Sequence, residues 1–491
     1  MTTAPEECLL TYLGTQTAKP AIESDQGIVT YGELCQLAFQ FTAALQDLGI
    51  SQGEVVLAHK LPLHYELSLF MACLQVKAIF GPLNHYVPVE SQAQQITTIP
   101  YQVVVTTDPY LLTMCKAYSP ATCLSKGSDR TPLPTRALIP MEQEVLAIFT
   151  SGSTGTPKGV VHTYGALLHS FKGTRDFYQL KQKGYRTLVT LPRFHIGGFM
   201  ACFRSLLWLG TLVESKSPEK AIQLVSLTPA QLHNHLRDDQ SRHLLQQANL
   251  ILIGGGPCSA ELFHEACQSE LNISLTYGST EACSQLAASK VGHDELEVLP
   301  HMELRIIDHK IAFRGPSLFV RHLGQGSRQT DQGFYLSEDL GSYDETSLTV
   351  EGRSDQIIIC GGLNINPTDI TNCLPQAGSL YLVTGIPCAK FGHVPALVIY
   401  QAQKPDIKAL WEEMERNLPK VKLPQKIYWH AGEVLKPNKS IFDLWYRSEV
   451  KDTCFVEMEV PSFRDSRKSA KIQPALSSSR PASASIESIS S

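Results

Sequence analysis

Apolar and polar positions recur along this chain in two periods, and the places where one period gives way to the other mark its elements. Thr30-Tyr31-Gly32-Glu33 has capping-box spacing, and Leu34, Leu37, Ala38, Phe41 and Leu45 follow at helical intervals, so an amphipathic helix is predicted here. Short β-rich runs at 55–58 and 102–106 alternate with helical stretches, the layout of an α/β fold with parallel strands. Three further apolar runs of strand length, 145–149, 250–253 and 273–276, each enter a segment rich in Gly, Ser or Thr. No self-similar period of repeat length is present.

A chain of 491 residues exceeds one ordinary core, which favours two or three domains. The stretch 340–355 holds Gly341, Gly352 and several Ser, Asp and Thr residues and reads as a linker. The expected division is a large N-terminal domain over 1–352, a hinge at 353–355 and a small domain over 356–460. A disordered tail over 461–491 follows, because that segment is rich in Ser, Ala, Arg and Pro. With 43% hydrophobic and 18% charged residues, the chain is of globular rather than disordered, fibrous or membrane type. A net charge of -5 supplies no basic field, so no nucleic-acid partner is expected. The thirteen cysteines are scattered singly without a C-x-x-C pair, as expected of reduced thiols. No apolar run approaches the roughly 18 residues a membrane span needs, and no signal-like region opens the chain, so a cytoplasmic location without stable membrane insertion is expected.

The run 145–149 feeds Thr150-Ser151-Gly152-Ser153-Thr154-Gly155-Thr156-Pro157-Lys158-Gly159. A strand opening into such a loop brings backbone N–H groups, hydroxyls and the Lys158 charge to a polyphosphate. Composition alone would equally allow a flexible linker, but the preceding strand favours the phosphate loop. Walker A is excluded, because Lys158 is followed by Gly159 rather than Ser or Thr.

This loop resembles that of the adenylate-forming superfamily of acyl-CoA synthetases, adenylation domains and luciferases. Four further segments stand in that superfamily's order: Phe194-His195-Ile196-Gly197-Gly198, Tyr277-Gly278-Ser279-Thr280-Glu281, Asp339, and Gly352-Arg353-Ser354-Asp355. The resemblance covers the chain from about Ile28 to about Trp445. It implies layered α/β subdomains with a small mobile α+β C-terminal domain. It also implies ATP, Mg2+ and coenzyme A, with the acid activated as an acyl-adenylate and passed to the thiol. Gly254-Gly255-Gly256 is then an adenine-facing turn, Tyr277 stacks on adenine, Gly278 lies in the nucleotide motif and Thr280 contacts the adenylate phosphate. Glu281 ligates magnesium and Asp339 accepts from the ribose hydroxyls. Arg353 binds ribose, Asp355 is the hinge, and His195 stands between the acid and the pantetheine path, with Gly361-Gly362 reaching that path after domain rotation. Ordinary alternatives stand beside these: a tight turn for the glycines, a solvated charge for Glu281, Arg353 and Asp355, a loop-capping residue for Asp339 and a structural ring for His195.

Adenylation brings a carboxylate to an α-phosphate, so a mobile cation between them lowers the barrier. The resemblance places that cation at Lys439 in Lys436-Pro437-Asn438-Lys439; the usual preceding glycine is Asn438 here, and Lys436 is the rival. Within the superfamily, Leu191-Pro192-Arg193-Phe194-His195, Arg204, the 225–232 segment and Phe391-Gly392-His393-Val394-Pro395 resemble the o-succinylbenzoate–CoA ligases of menaquinone biosynthesis. An aromatic dicarboxylate leaves one carboxylate free after activation. Arg204 is the expected partner for it and Arg193 the alternative, with Ser279 also facing the substrate. Rival expectations are an aryl or fatty acyl-CoA ligase, a ligase acylating a carrier protein, and a non-catalytic nucleotide-binding relative.

Overall fold

The computed structural model describes residues 9–86, 96–127, 138–151, 157–181, 184–214, 218, 220–326, 330–360, 363–375, 379–388, 391–431, 439–447 and 455–460. Two large sheets carry the first part of the chain. A seven-stranded sheet runs in the order Arg321–His322, Pro157–Thr163, Glu144–Ser151, Ile79–Pro82, Val55–His59, Val103–Thr106, Ala117–Tyr118; its last five strands are parallel. A nine-stranded sheet has at its centre the parallel strands Ile273–Ser279, Leu250–Ile253, Leu224–Leu227, Arg186–Leu188, Thr211–Val213 and Pro20–Ser24. The parallel centres are covered by helices, as buried hydrophobic strands require.

The helix predicted from Thr30 is present at Tyr31–Asp47 with both capping-box bonds made: Thr30 accepts from the Glu33 backbone, and the Glu33 side chain from the Thr30 backbone. Its buried residues Leu34, Ala38, Phe41 and Leu45 follow the predicted stripe and join a core that also holds Phe70, Phe199 and Phe203. A separate core gathers Ile358, Ile370, Val398, Trp411, Tyr428, Phe442 and Trp445 around a six-stranded sheet, with no residue before Ile358. The mixed α/β class expected from the sequence is the one observed.

The stretch 340–355 is not a loose linker. Tyr335–Tyr343 and Leu348–Arg353 pair antiparallel, Asp339 opposite Arg353, within a four-stranded sheet. Its polar residues are consumed by the turn, where Asp344 accepts from the Thr346 and Ser347 backbones. A carboxylate receiving those bonds is held down at about 2. Among the described residues the cysteines are free thiols, and no helix is long and apolar enough to cross a membrane.

Candidate active site

Glu144–Ser151 and Pro157–Thr163 are the two arms of the phosphate-loop hairpin, with Thr150 opposite Lys158. Thr150 Oγ1 donates to the Lys158 carbonyl at 3.4 Å, and the Lys158 side chain is exposed. Gly152, Ser153, Thr154 and Gly155 lie outside the described residues, as does the side chain of Ser151. The 319–323 segment ties this hairpin to the Tyr277–Glu281 motif. Phe319 N donates to the Glu281 carbonyl and Leu323 N to the Gly159 carbonyl, both at 2.8 Å. Burial lowers the pKa of the nearby His322 imidazole, with Glu281 opposing that shift and Lys158 adding to it.

The Tyr277–Glu281 motif sits on a strained hairpin. Ile273–Ser279 pairs antiparallel with Ser284–Ala288, Gly278 facing Gln285. A Cβ on Gly278 would lie 1.7 Å from the Ser284 carbonyl oxygen, so packing alone demands glycine there. Cys283 and Ser284 both hold left-handed backbone, at φ 58° and 95°. The Ser279 hydroxyl, expected to face substrate, accepts from Ala282 N at 3.2 Å and so caps this turn; Thr280 accepts from Cys283 N at 3.1 Å through its carbonyl. Beside it Leu250–Ile253 ends in Gly254, Gly255 and Gly256, joined to the motif strand by Thr276 Oγ1 donating to the Ile253 carbonyl at 3.1 Å. Crevices at such strand ends are where open α/β sheets bind ligands.

A four-residue polar chain leaves the motif toward the small domain. Tyr277 donates its hydroxyl to Asp339 Oδ2 at 2.6 Å, and Arg353 donates to Asp339 Oδ1 at 2.9 Å. Arg353 also forks onto both oxygens of Asp355, each at 2.9 Å. Burial raises the Tyr277 pKa, and the Asp355 hydrogen bonds lead the causes that raise Arg353, with Glu281 contributing. Asp339 itself is buried. Among the described residues no three carboxylates, histidines or cysteines form a metal cage. A single half-buried carboxylate such as Glu281 nevertheless suits magnesium, which is ordinarily held by one or two carboxylates plus substrate phosphates.

His195 is exposed at the N-cap of Ile196–Leu207, its ring centroid 4.6 Å from that of buried Phe194. Arg204 lies in the last turn of this helix and is only 5% exposed. Its guanidinium donates to Thr174 Oγ1 at 3.3 Å and to Gln285 Oε1 at 3.5 Å, and among the described residues no carboxylate pairs with it. Burial takes its pKa down to about 10, against Cys283 and Tyr178, which favour the cation. Arg193, the alternative cation for the substrate, has its charge already matched. It pairs with Glu66 at 2.9 Å and Glu214 at 3.5 Å and donates to the Leu61 carbonyl, on the wall of a cavity of about 470 Å³ that Phe194 also lines. Burial disfavours its charge, but Glu66, Cys202 and Glu214 together more than restore it.

Lys439 is exposed and opens the helix Lys439–Arg447. A cation at a helix N-terminus opposes the macrodipole, so this lysine is not there to stabilise its own helix. Lys436, Gly361 and Gly362 lie outside the described residues, as does the 461–491 tail. Four polar residues around the two arginines escaped the sequence: Glu66 and Glu214 around Arg193, Thr174 and Gln285 around Arg204. Two left traces. Ser170 and Thr174 stand four apart on the face that Leu167 and Phe171 bury, and Gln285 is the lone amide in a Ser-Gln-Leu-Ala-Ala strand.

The layered fold and the motifs it carries are those of an AMP-binding enzyme. The AMP-binding enzyme family matches residues 12–316, more than half of the chain, and the chain belongs to that family. Among relatives, 2-succinylbenzoate–CoA ligase of Oceanobacillus iheyensis is 23% identical over 445 residues, covering 84% of this chain and 92% of that one. Indoleacetate–CoA ligase of Aromatoleum aromaticum is 24% identical over 475 residues, covering 85% and 92%. Among solved structures, o-succinylbenzoate–CoA synthetase of Bacillus subtilis in complex with its acyl-adenylate superposes with a TM-score of 0.73 at 20% identity, covering 87% of this chain and 95% of that one. The same enzyme has also been solved with ATP and magnesium ion.

Proposed function

We propose that this protein activates o-succinylbenzoate with ATP and transfers the acyl group to coenzyme A, in the cytoplasm, as a step of menaquinone biosynthesis. The observation that carries the choice of acid is Arg204, a buried guanidinium with no carboxylate beside it among the described residues. Leaving such a charge uncompensated is costly, and a dicarboxylic substrate supplies the missing anion. In this proposal Lys158 and the Thr150–Gly155 loop hold the phosphates. Glu281 holds magnesium, which screens the phosphate charge when bound. Gly254–Gly256 and Tyr277 face adenine, Asp339 and Arg353 face ribose, and His195 orients the reacting carboxylate. Residues 353–355 form the hinge about which residues 356–460 turn, bringing Lys439 to the site for the first half-reaction.

The test is pyrophosphate release from a panel of acids, read with and without coenzyme A. We expect o-succinylbenzoate to have the highest kcat/KM and coenzyme A to accelerate turnover. Faster turnover of indoleacetate would favour an aryl monoacid ligase, a second possibility that the Aromatoleum relative supports. The nucleotide side is tested separately. ATP with magnesium is expected to raise Tm, and Lys158→Ala to shrink that rise by weakening ATP binding about tenfold, the scale of one charge-assisted hydrogen bond. Equal ATP affinity of wild type and variant by calorimetry would remove Lys158 from the site.

A further inference from the structure

Arg204 is held by a neutral shell. Thr174 Oγ1 donates to Gln285 Oε1 at 2.6 Å, and the same Oε1 accepts from Arg204 at 3.5 Å, so one amide oxygen anchors both. Gln285 is 4% exposed and is fixed from behind by the hairpin, since it faces Gly278 in register and follows the left-handed pair Cys283 and Ser284. Ser170 locks the same turn to its helix by donating to the Cys283 carbonyl at 2.6 Å. Glutamate would fit this position with the same skeleton and would give Arg204 an internal counter-ion. The chain instead has an amide, which orients the guanidinium without neutralising it.

We propose that Gln285 is a specificity-determining positioning residue: its neutrality keeps the Arg204 charge available, so that the acid must bring a second carboxylate. This rests on the proposed role of Arg204, and it assigns the choice between dicarboxylic and monocarboxylic acids to an amide on the strand that follows the Tyr277–Glu281 motif. A carboxylate at this position closes an ion pair with Arg204, removes the demand for a second anion and repels one that approaches.

The experiment compares wild type, Gln285→Glu and Gln285→Met, each alone and combined with Arg204→Leu, using o-succinylbenzoate and indoleacetate as acids. Gln285→Glu is expected to raise KM for o-succinylbenzoate about 10- to 100-fold, the loss of one charge-assisted contact, with the KM for indoleacetate within about threefold of wild type. Gln285→Met, neutral like the amide, is expected to raise it only a few-fold, on the scale of one neutral hydrogen bond. In the Arg204→Leu background Gln285→Met should add nothing further, because the contact it loses is already absent. Gln285→Glu should also melt at or above wild type, since it compensates a buried charge. Equal increases for Gln285→Glu and Gln285→Met on both acids would reduce Gln285 to a structural role and overturn the proposal. So would a Gln285→Glu protein that fails to fold while Gln285→Met folds. If Arg204→Leu raises KM for o-succinylbenzoate and Gln285→Glu does not, the Arg204 assignment survives and this inference falls. If wild type prefers indoleacetate, the assignment of the acid itself fails.

Discussion

Lys439→Ala is expected to lose acyl-adenylate formation by about 10²- to 10³-fold, the scale of removing one preorganised donor from a developing charge. The same variant should convert preformed acyl-adenylate and coenzyme A to thioester at nearly the wild-type rate. The asymmetry follows from chemistry, because only the first half-reaction brings an anionic carboxylate against an anionic α-phosphate. Lys439 is exposed at the start of a helix whose dipole it opposes, so its loss should not destabilise the small domain, whose core rests on Phe442 and Trp445 further along. Single-turnover measurements of each half-reaction decide the matter. If Lys436→Ala shows the split phenotype and Lys439→Ala does not, the cation sits three residues earlier; if both adenylate normally, it comes from elsewhere in the chain.

Arg204→Leu should raise KM for o-succinylbenzoate about 10- to 100-fold while changing KM for benzoate-like monoacids by less than about threefold. A rise in KM without a matching fall in kcat identifies binding energy present equally in ground and transition states, as expected for a group remote from the reacting carboxylate. The free protein supplies an independent readout. Replacing a buried guanidinium that lacks a carboxylate partner by a similar apolar volume removes a desolvated charge, so Tm of the unliganded variant should not fall. A large fall in Tm with parallel losses for both acids would make Arg204 a structural cation.

What the sequence disclosed and what it withheld divide along the range of the interactions. The Thr30–Glu33 capping box and the strand entering the phosphate loop are local, and both stand where periodicity placed them. Residues 340–355 misled because their Gly, Ser and Asp content is shared by linkers and tight hairpins. Only the pairing of Asp339 with Arg353 distinguishes the two, and no local pattern encodes it. The arginines follow the same logic. Arg193 sits among Leu191, Pro192 and Phe194, and nothing nearby announces Glu66, 127 positions earlier in the chain. Arg204 is separated by 30 positions from Thr174 and by 81 from Gln285. Sequence could nominate both arginines for one task; only the fold reveals which of them already has its anions.

Asp339 has a consequence for how the nucleotide side can be dissected. Its two oxygens are divided between the Tyr277 hydroxyl and the Arg353 guanidinium, and Arg353 carries the connection on to Asp355. Substituting any member releases the others, so the quartet responds to mutation as one unit. The cost of losing Asp339 contains the freed Tyr277 phenol and the rearranged Arg353 as well as any contact to ribose, and single-site losses will sum to more than the whole. Epistasis is therefore built into this corner of the protein: a neighbour's identity decides the weight measured for each residue, and only the combined variants carry the information about any one of them.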